Sequence, residues 1–597
     1  MADVTKYSVY DPRIVQTKPE YAVEKGALSL TNVSFQAQTA DSSSVQFNVQ
    51  VPSENVFVDR AIEMTGTLVG VVTLTVTNSL PSGTSLAGLI GPAAFPIHQA
   101  TTQMSATIND ATVTVNTQDV LPQVLRLADL RDARRQRTCP TMLDNYAKYP
   151  DSRVVKNSPL LAWDETKHSD AVPNGGFNGF YFATDASGGT PQPLSGAGTT
   201  VGNVSYYNGQ PYANSVLASG TVLTFYVAVT STEKLLLPPF IFADERELST
   251  GLFGVQNFQV QMNITPSSSC RSFRVSSETT FVDPADGLVT PTAIAYTSFA
   301  LSTTAGNGCW AGRPTLAVQF LTPALDIPLP PKSIVPYMEF PRYIATPNTS
   351  VSQTGNSYTT TQLQSQTITL PNIPDLLLIY VKPSSYGGSP SALSQGDWSL
   401  PITQISLNFD NFSGLLSTIT QDQLYQMSVR NGLDMDFSEW SGSGRVPLVI
   451  DSALAKRSGG LVGLVGGPLV LRPGRDFALQ AGQASGLVGN FTLQFNLQVQ
   501  NFTGITLDGS SAAQPFVNIY TVPISSGFFE TIKGSSRIIK GVLTEQDILS
   551  APMQAPSAAL HRAVGGNLQA EISRQLPTSN VVRATRVGNA HGMKSYM

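Results

Sequence analysis

The chain has 597 residues, with 36 Lys or Arg against 41 Asp or Glu, a formal balance of −5. Only 13% of positions are charged, about half the usual share, while 41% are apolar and Gly and Pro contribute 48 and 40 residues. This composition is too apolar for disorder and too rich in turn residues for a long-helix protein, and its sparse acidic charge excludes nonspecific phosphate neutralisation over the whole surface.

In chain order, Val45, Phe47, Val49 and Val51 alternate with polar residues and predict a half-buried strand. Val56-Phe57-Val58 and then Met64 to Thr77 read as further strands, the latter β-branched and Thr-studded. Asn109-Asp110 lies between alternating arms in 105–116, where both residues tolerate positive φ, so a hairpin is expected. Helix is confined to short insertions, one over 117–130 with Val120, Leu121, Val124 and Leu125 at helical spacing, and one over 141–149 with Met142, Tyr146 and Tyr149 on one side. Gly, Asn, Pro, Ser and Asp dominate 149–214, which reads as a large loop excursion. Strand signals return at 221–230, 235–242 and 257–264.

The second half repeats the style at 316–321, 362–370, 375–383, 402–409, 490–499 and 515–522. One short helix interrupts it, opened by the capping-box pattern Thr420-Gln-Asp-Gln423 with Leu424 and Met427 on one face. Closely spaced strands joined by long loops argue for sandwiches or barrels rather than a parallel sheet, and two packed sandwiches of about 200–300 residues each account for the length. No exact internal repeat is visible.

Cys139, Cys270 and Cys309 are odd in number, widely spaced and without a C-x-x-C pair, which supports neither a disulfide framework nor a Cys-based zinc site and fits a reducing compartment. The opening MADVTKYSVYDPR has no basic or apolar region of a secretion signal, and no run of about 18 apolar residues occurs.

Catalytic constellations are missing from the sequence. The four His, at 98, 168, 561 and 591, form no HExxH and no i, i+4 pair, and neither a G-x-S-x-G elbow nor a P-loop is present. His98 and His168 read as exposed loop histidines beside Pro96 and Lys167. Asp434, Asp436 and Glu439 in NGLDMDFSEW form a weak cation or acid/base candidate, set against solvated loop acids, because the Gly-centred loop and ligand count of an EF-hand are lacking. The glycine run 459–467 lacks the Lys and Ser/Thr that close a phosphate loop, and reads as a bulged strand or tight turn. No enzyme activity and no cofactor are expected.

One charge pattern rises above background: Arg126, Arg131, Arg134, Arg135 and Arg137, relieved by Asp129 and Asp132. Such a cluster can neutralise phosphates, pair with a neighbouring subunit's carboxylates, or stay solvated. After Ala551, Arg562, Arg574, Arg583, Arg586 and Lys594 stand against Glu571 alone, as in a flexible basic tail.

The runs TLPNIPDLLLIYVKP (369–383), ITQISLNFDNFSGLLSTITQDQLYQMS (402–428), NGLDMDFSEWSG (431–442) and GGPLVLRPGRDFAL (466–479) resemble the C-terminal jelly roll of double jelly-roll major capsid proteins, most like those of polinton-like viruses and virophages. The ending PISSGFFETIKGSSRIIKGVLTEQDIL (523–549) is similar to their terminal strand and exit. In the first half the likeness rests on FVDRAIEM (57–64), QDVLPQVLRLADLR (118–131), RTCPTMLDNYAKY (137–149) and the stretch 237–264.

The resemblance implies an all-β fold of two consecutive antiparallel eight-stranded jelly rolls with long loops and a few short helices, including a strand at Asp476–Leu479. It divides the chain into an N-terminal arm (1–29), a first roll (30–345) carrying the 149–214 insertion, a second roll (346–550) and a basic tail (551–597). It further implies a homotrimeric, pseudo-hexagonal capsomer tiling an icosahedral shell around viral DNA. Its partners would be further copies, penton and minor capsid proteins, and packaged DNA on the inner face, with no small-molecule substrate. Its place would be the virion capsid, after synthesis in the host cytoplasm or nucleus. Two alternatives make different demands. A β-sandwich carbohydrate-binding protein or adhesin needs exposed aromatic platforms, whereas the four Trp at 163, 310, 398 and 440 are scattered. A single-jelly-roll capsid protein with a protruding domain needs a strongly basic arm, whereas Lys6, Arg13, Lys18 and Lys25 are balanced by Asp3, Asp11, Glu20 and Glu24.

Overall fold

The computed structural model describes residues 28–540 apart from 129–142, 144–178, 243–250, 265–271, 283–288, 324–331, 352–358, 384–398, 452–455 and 502–516, and apart from short gaps at 54, 77–78, 85, 87–89, 276–277, 304, 348, 350 and 481. Eight of the described strands frame the first sandwich, β1 (Leu28–Gln36), β2 (Ser44–Gln50), β3 (Glu63–Val76), β4 (Thr101–Ile108), β5 (Ala111–Val115), β6 (Val222–Lys234), β7 (Asn257–Ile264) and β8 (Thr315–Pro323), and Val289–Leu301 also pairs with β3. They pair as β1-β8-β3-β6 in one sheet and β2-β7-β4-β5 in the other.

The second sandwich uses β9 (Ser333–Glu339), β10 (Thr359–Gln364), β11 (Leu376–Pro383), β12 (Ile402–Phe409), β13 (Phe412–Leu415), β14 (Leu469–Leu471), β15 (Val488–Asn501) and β16 (Val517–Ile532). Its sheets run β9-β16-β11-β14 and β10-β15-β12-β13. Strand for strand this is the same order, and it is the order of a jelly roll. The duplication that no sequence repeat reveals is therefore present in the topology. A single roll with a protruding domain does not describe this chain.

Periodicity follows exposure. In β2, Val45, Phe47 and Val49 are buried while Gln46, Asn48 and Gln50 face outward, and β7 alternates likewise. In β11, Leu377 through Lys382 are all buried, which is why Leu-Leu-Ile-Tyr-Val shows no alternation: both faces of that sheet are covered. β3 and β6 pair without a break from Glu63↔Lys234 to Thr75↔Val222. Beside them Trp310 is fully buried over Gly66, where an added Cβ would fall 2.6 Å from the indole Cζ3. Each large apolar side chain so buried stabilises by about 1.5–3 kcal/mol.

The hairpin turn at Asn109-Asp110 is as expected, with Ile108 opposite Ala111 and Asn109 at φ 55°. The helices α1 (Pro96–Ala100), α2 (Thr117–Val124), α3 (Gln421–Arg430) and α4 (Phe437–Trp440) are short, and α3 opens with the expected capping box, the Thr420 N–H donating to Gln423 Oε1 at 3.1 Å. The glycine run begins in the strand Lys456–Gly463, paired with Ser443–Asp451 across an irregular register, and continues past it to Gly466 at φ 69° and Gly467.

Three expectations are corrected. Part of the excursion 149–214 is ordered strand: Phe180–Ala183 extends the first sheet beside β6, and 197–213 folds into a three-stranded sheet of its own, because Asn and Gly at its turns supply positive φ between short β-forming arms. Residues 235–242 are not a strand. Leu235–Leu237 are buried, a cis Pro238-Pro239 bond follows, and Phe240–Phe242 form a 3₁₀ turn, since two prolines cannot donate to a ladder. Asp476-Phe477 also lie in a turn after β14, held by the Arg472 N–H donating 2.7 Å to Asp476 Oδ2. The expected helix 141–149 lies outside the described residues except for Leu143. Contacts group Leu30–Thr322 with Leu329–Leu543 in one compact unit.

Candidate functional site

The functional geometry of this chain is a seam between the two sandwiches. α2 follows β5 and α3 follows β13, so the helices occupy equivalent places in the two rolls. Their exits meet. Leu127 bridges Leu433, the Ala128 N–H donates to Gly432 O at 2.7 Å, and the Asp434 N–H donates to Arg126 O at 2.8 Å. At the other end of α2, Asp119 forms an ion pair with Arg342, and the Tyr380 hydroxyl donates to the Asp119 carbonyl at 2.9 Å. Tyr380 is stacked on Tyr520 with ring centroids 5.2 Å apart, so the covered face of the β11 sheet looks onto α2.

Two groups of residues that are far apart in sequence converge here. Arg126, the first residue of the basic cluster, is 3% exposed and places Nη1 3.8 Å from Met435 Sδ. Burial pushes the Glu439 carboxyl up from its ordinary range, the Arg126 guanidinium opposes that, and Asp436 and Asp434 add to the upward push. Arg126 is thus a seam residue and not part of a surface patch, because the turn after α2 that carries it is packed against the second roll. Asp436 is exposed at the N-cap position of α4, as expected of a solvated loop acid, while Asp434 and Glu439 are half-buried beside Arg126. Among the described residues no group of three or more His, Cys, Asp or Glu could hold a metal ion. Arg131, Arg134, Arg135, Arg137 and the tail residues Arg562, Arg574, Arg583, Arg586 and Lys594 lie outside the described residues.

A second contact joins the β4–β5 turn to the end of the second roll. Asn109 Nδ2 donates to Ser536 Oγ at 3.0 Å and to Gly254 O at 3.2 Å. Asp110 accepts the Ser536 N–H at 2.5 Å and the Ser535 hydroxyl at 3.0 Å, and these bonds hold its carboxyl below the usual range. Gly254, at φ 74°, accepts the Gly534 N–H on its carbonyl at 2.8 Å, and a Cβ there would lie 2.8 Å from Lys533 N. The sequence marked Asn109 and Asp110 only as turn formers, since nothing local distinguishes a turn that docks from one that is solvated.

His98 is also corrected. It is 1% exposed, Nδ1 hydrogen-bonds to the equally buried Glu233, and Nε2 accepts the Leu236 N–H at 3.2 Å. Glu233 further accepts the Ile97 N–H at 2.7 Å, the His98 N–H at 3.1 Å and the Ser231 hydroxyl at 2.8 Å. This closed network pins α1 to β6, and its Ser231 hydroxyl is bonded to Glu233 rather than to His98. Trp310 and Trp440 are buried too, the latter donating Nε1–H to Pro468 O at 2.9 Å, so neither offers the exposed platform an adhesin requires. Trp163 and Trp398 lie outside the described residues.

A jelly-roll strand order repeated in both halves, with polar contacts joining the two halves, places this chain in the double jelly-roll class. Comparison with known proteins agrees. The family model for the Sputnik virophage major capsid protein 1st domain matches residues 2–297, and that for the major capsid protein V20 C-terminal domain matches 340–522. Capsid protein V20 of Sputnik virophage is 23% identical over 558 residues, covering 91% of this chain and 81% of that one. A chain of the Sputnik virophage cryo-EM structure superposes with a TM-score of 0.64 at 20% identity, over 89% of this chain and 92% of its own length. The mavirus major capsid protein crystal structure gives 0.60 at 13%, over 88% and 93%. The chain belongs to the virophage major capsid protein family, and its role is structural, not enzymatic.

Proposed function

We propose that three copies of this chain form a pseudo-hexagonal capsomer, and that capsomers joined by penton and minor capsid proteins tile an icosahedral shell around a viral DNA genome. The observation that carries this reading is the strand order repeated in both halves. A subunit with two like sandwiches, taken three times, presents six like bodies around an axis. The seam through Arg126, Asp119 and Asp110 supports it, because a rigid pairing of the two sandwiches keeps those six bodies in a fixed outline. Assembly would follow synthesis in the host cytoplasm or nucleus.

Arg131, Arg134, Arg135 and Arg137 are assigned to contacts with a neighbouring subunit or the genome, and the tail arginines with Lys594 to the inner side of the shell. Light scattering of the purified chain, followed by negative-stain images, tests the reading. A mass near three times 63.6 kDa with hexagonal outlines, or larger shells, is the expected result, and a monodisperse monomer that binds glycans overturns it. Replacing Arg131, Arg134 and Arg135 by Ala separates the two contacts. Genome contact leaves shells that form but retain DNA poorly, and subunit contact leaves failed trimers.

A further inference from the structure

None of the eight strands in the β2-β7-β4-β5 and β10-β15-β12-β13 sheets contains a Lys, Arg, Asp or Glu. Their outward faces carry amides and hydroxyls instead. In the first roll Gln46, Gln261, Ser105 and Thr114 stand in one row across four strands. In the second, Gln362, Gln498 and Gln404 stand in a row across three, flooring a hollow of about 770 Å³ walled by Pro347, Thr349 and Ser417. A sheet face meant for water is ordinarily studded with charges of both signs, which keep it soluble and unpaired.

The opposite sheets are already covered in places by this chain. Gly188 sits against Val69 of β3, with the Ser302 hydroxyl donating to Ala186 O at 2.8 Å, and α2 faces the β11 sheet. The amide faces are left without such cover among the described residues. The geometry points to these two faces as the surfaces on which a second copy of this chain seats in the assembled particle. This inference rests on the capsid reading and deepens it.

Three physical points favour a copy over other occupants. An amide offers both donor and acceptor, so an amide face is complementary to another like it, without the desolvation cost that excludes charge from interface cores. Strands about 4.8 Å apart and about seven residues long make each face roughly 400 Å². A stable interface needs about 800 Å² per partner, about half of which one such face supplies, far more than a small ligand would use.

The test uses the full chain with Gln261→Lys and Gln404→Lys together, and Ser215→Lys at an exposed loop site as control. The expected result is an unfolding midpoint close to wild type, normal assembly of the control, and an assembled fraction at least tenfold lower for the double variant by light scattering and negative stain. Should the double variant fail to fold, the single substitutions Gln261→Glu and Gln404→Glu are read in the same way. Folded variants that assemble like wild type overturn the inference and leave the capsid reading standing. So does a wild-type chain bound on a glycan array whose signal Gln404→Lys abolishes while assembly is untouched. A wild-type chain that stays monomeric overturns both.

Discussion

Arg126 heads a run of arginines, yet its side chain is 3% exposed and its carbonyl accepts the Asp434 N–H across the seam. Truncating it removes the countercharge beside Glu439 and opens a void at Met435. Arg126→Ala is therefore expected to lower stability by about 2 kcal/mol in urea unfolding, with a correspondingly early loss of seam contacts. An unchanged midpoint would return Arg126 to the surface cluster. Asp110 acts through hydrogen bonds rather than burial. Its native carboxyl lies below the ordinary value of 3.8, so the folded state favours the charged form. That contribution is present above the ordinary value and is lost as pH falls through the native one. Comparing wild type with Asp110→Asn from about pH 6 to about pH 3, the advantage of wild type in urea midpoint should shrink as the acid end is reached. A constant difference would mean that the clamp does not depend on the charge.

At the scale of elements, what could be read early was whatever one strand or turn decides for itself. β2 and β12 alternate because one face meets the core and the other does not, and the α3 capping box is complete within four residues. β11 and the 235–242 stretch both read simply as apolar runs, though one is a doubly covered strand and the other a proline-broken turn. Local hydrophobicity cannot separate these, because the difference lies in what packs on the second face. Gly254 belongs at this scale as well, since it lets a loop of the first roll pass against Lys533. Gly254→Ala is expected to destabilise by about 1–3 kcal/mol through positive φ and overpacking, read as a lower thermal midpoint. Gly220, also at positive φ but with open space around it, should cost less.

For the molecule as a whole, one compact unit spanning both rolls predicts that they unfold together. Calorimetry of wild type at neutral pH should show one transition. Asp119→Ala combined with Arg126→Ala, which loosens the α2 contacts at both ends, should split it in two. Two transitions already in wild type would show that the seam couples the rolls weakly. The coupling matters for assembly because a shell subunit with a hinge between its sandwiches presents no fixed outline to its neighbours.

Composition, strand periodicity, the Asn109-Asp110 turn and the order of motifs were enough to determine an all-β, charge-poor chain resembling double jelly-roll capsid proteins. These are properties of short stretches or of their succession, and each is written in residues a few positions apart. Tertiary structure alone decided the rest. Arg126 left the surface, His98 met Glu233 across 135 residues, Asp110 met Ser536 across 426, and two sequences without a visible repeat took the same strand order. Partners so distant are chosen by the packing of whole sheets, and a packed sheet asks only for apolar residues at alternate positions, so many sequences satisfy it and none announces which neighbour it will meet.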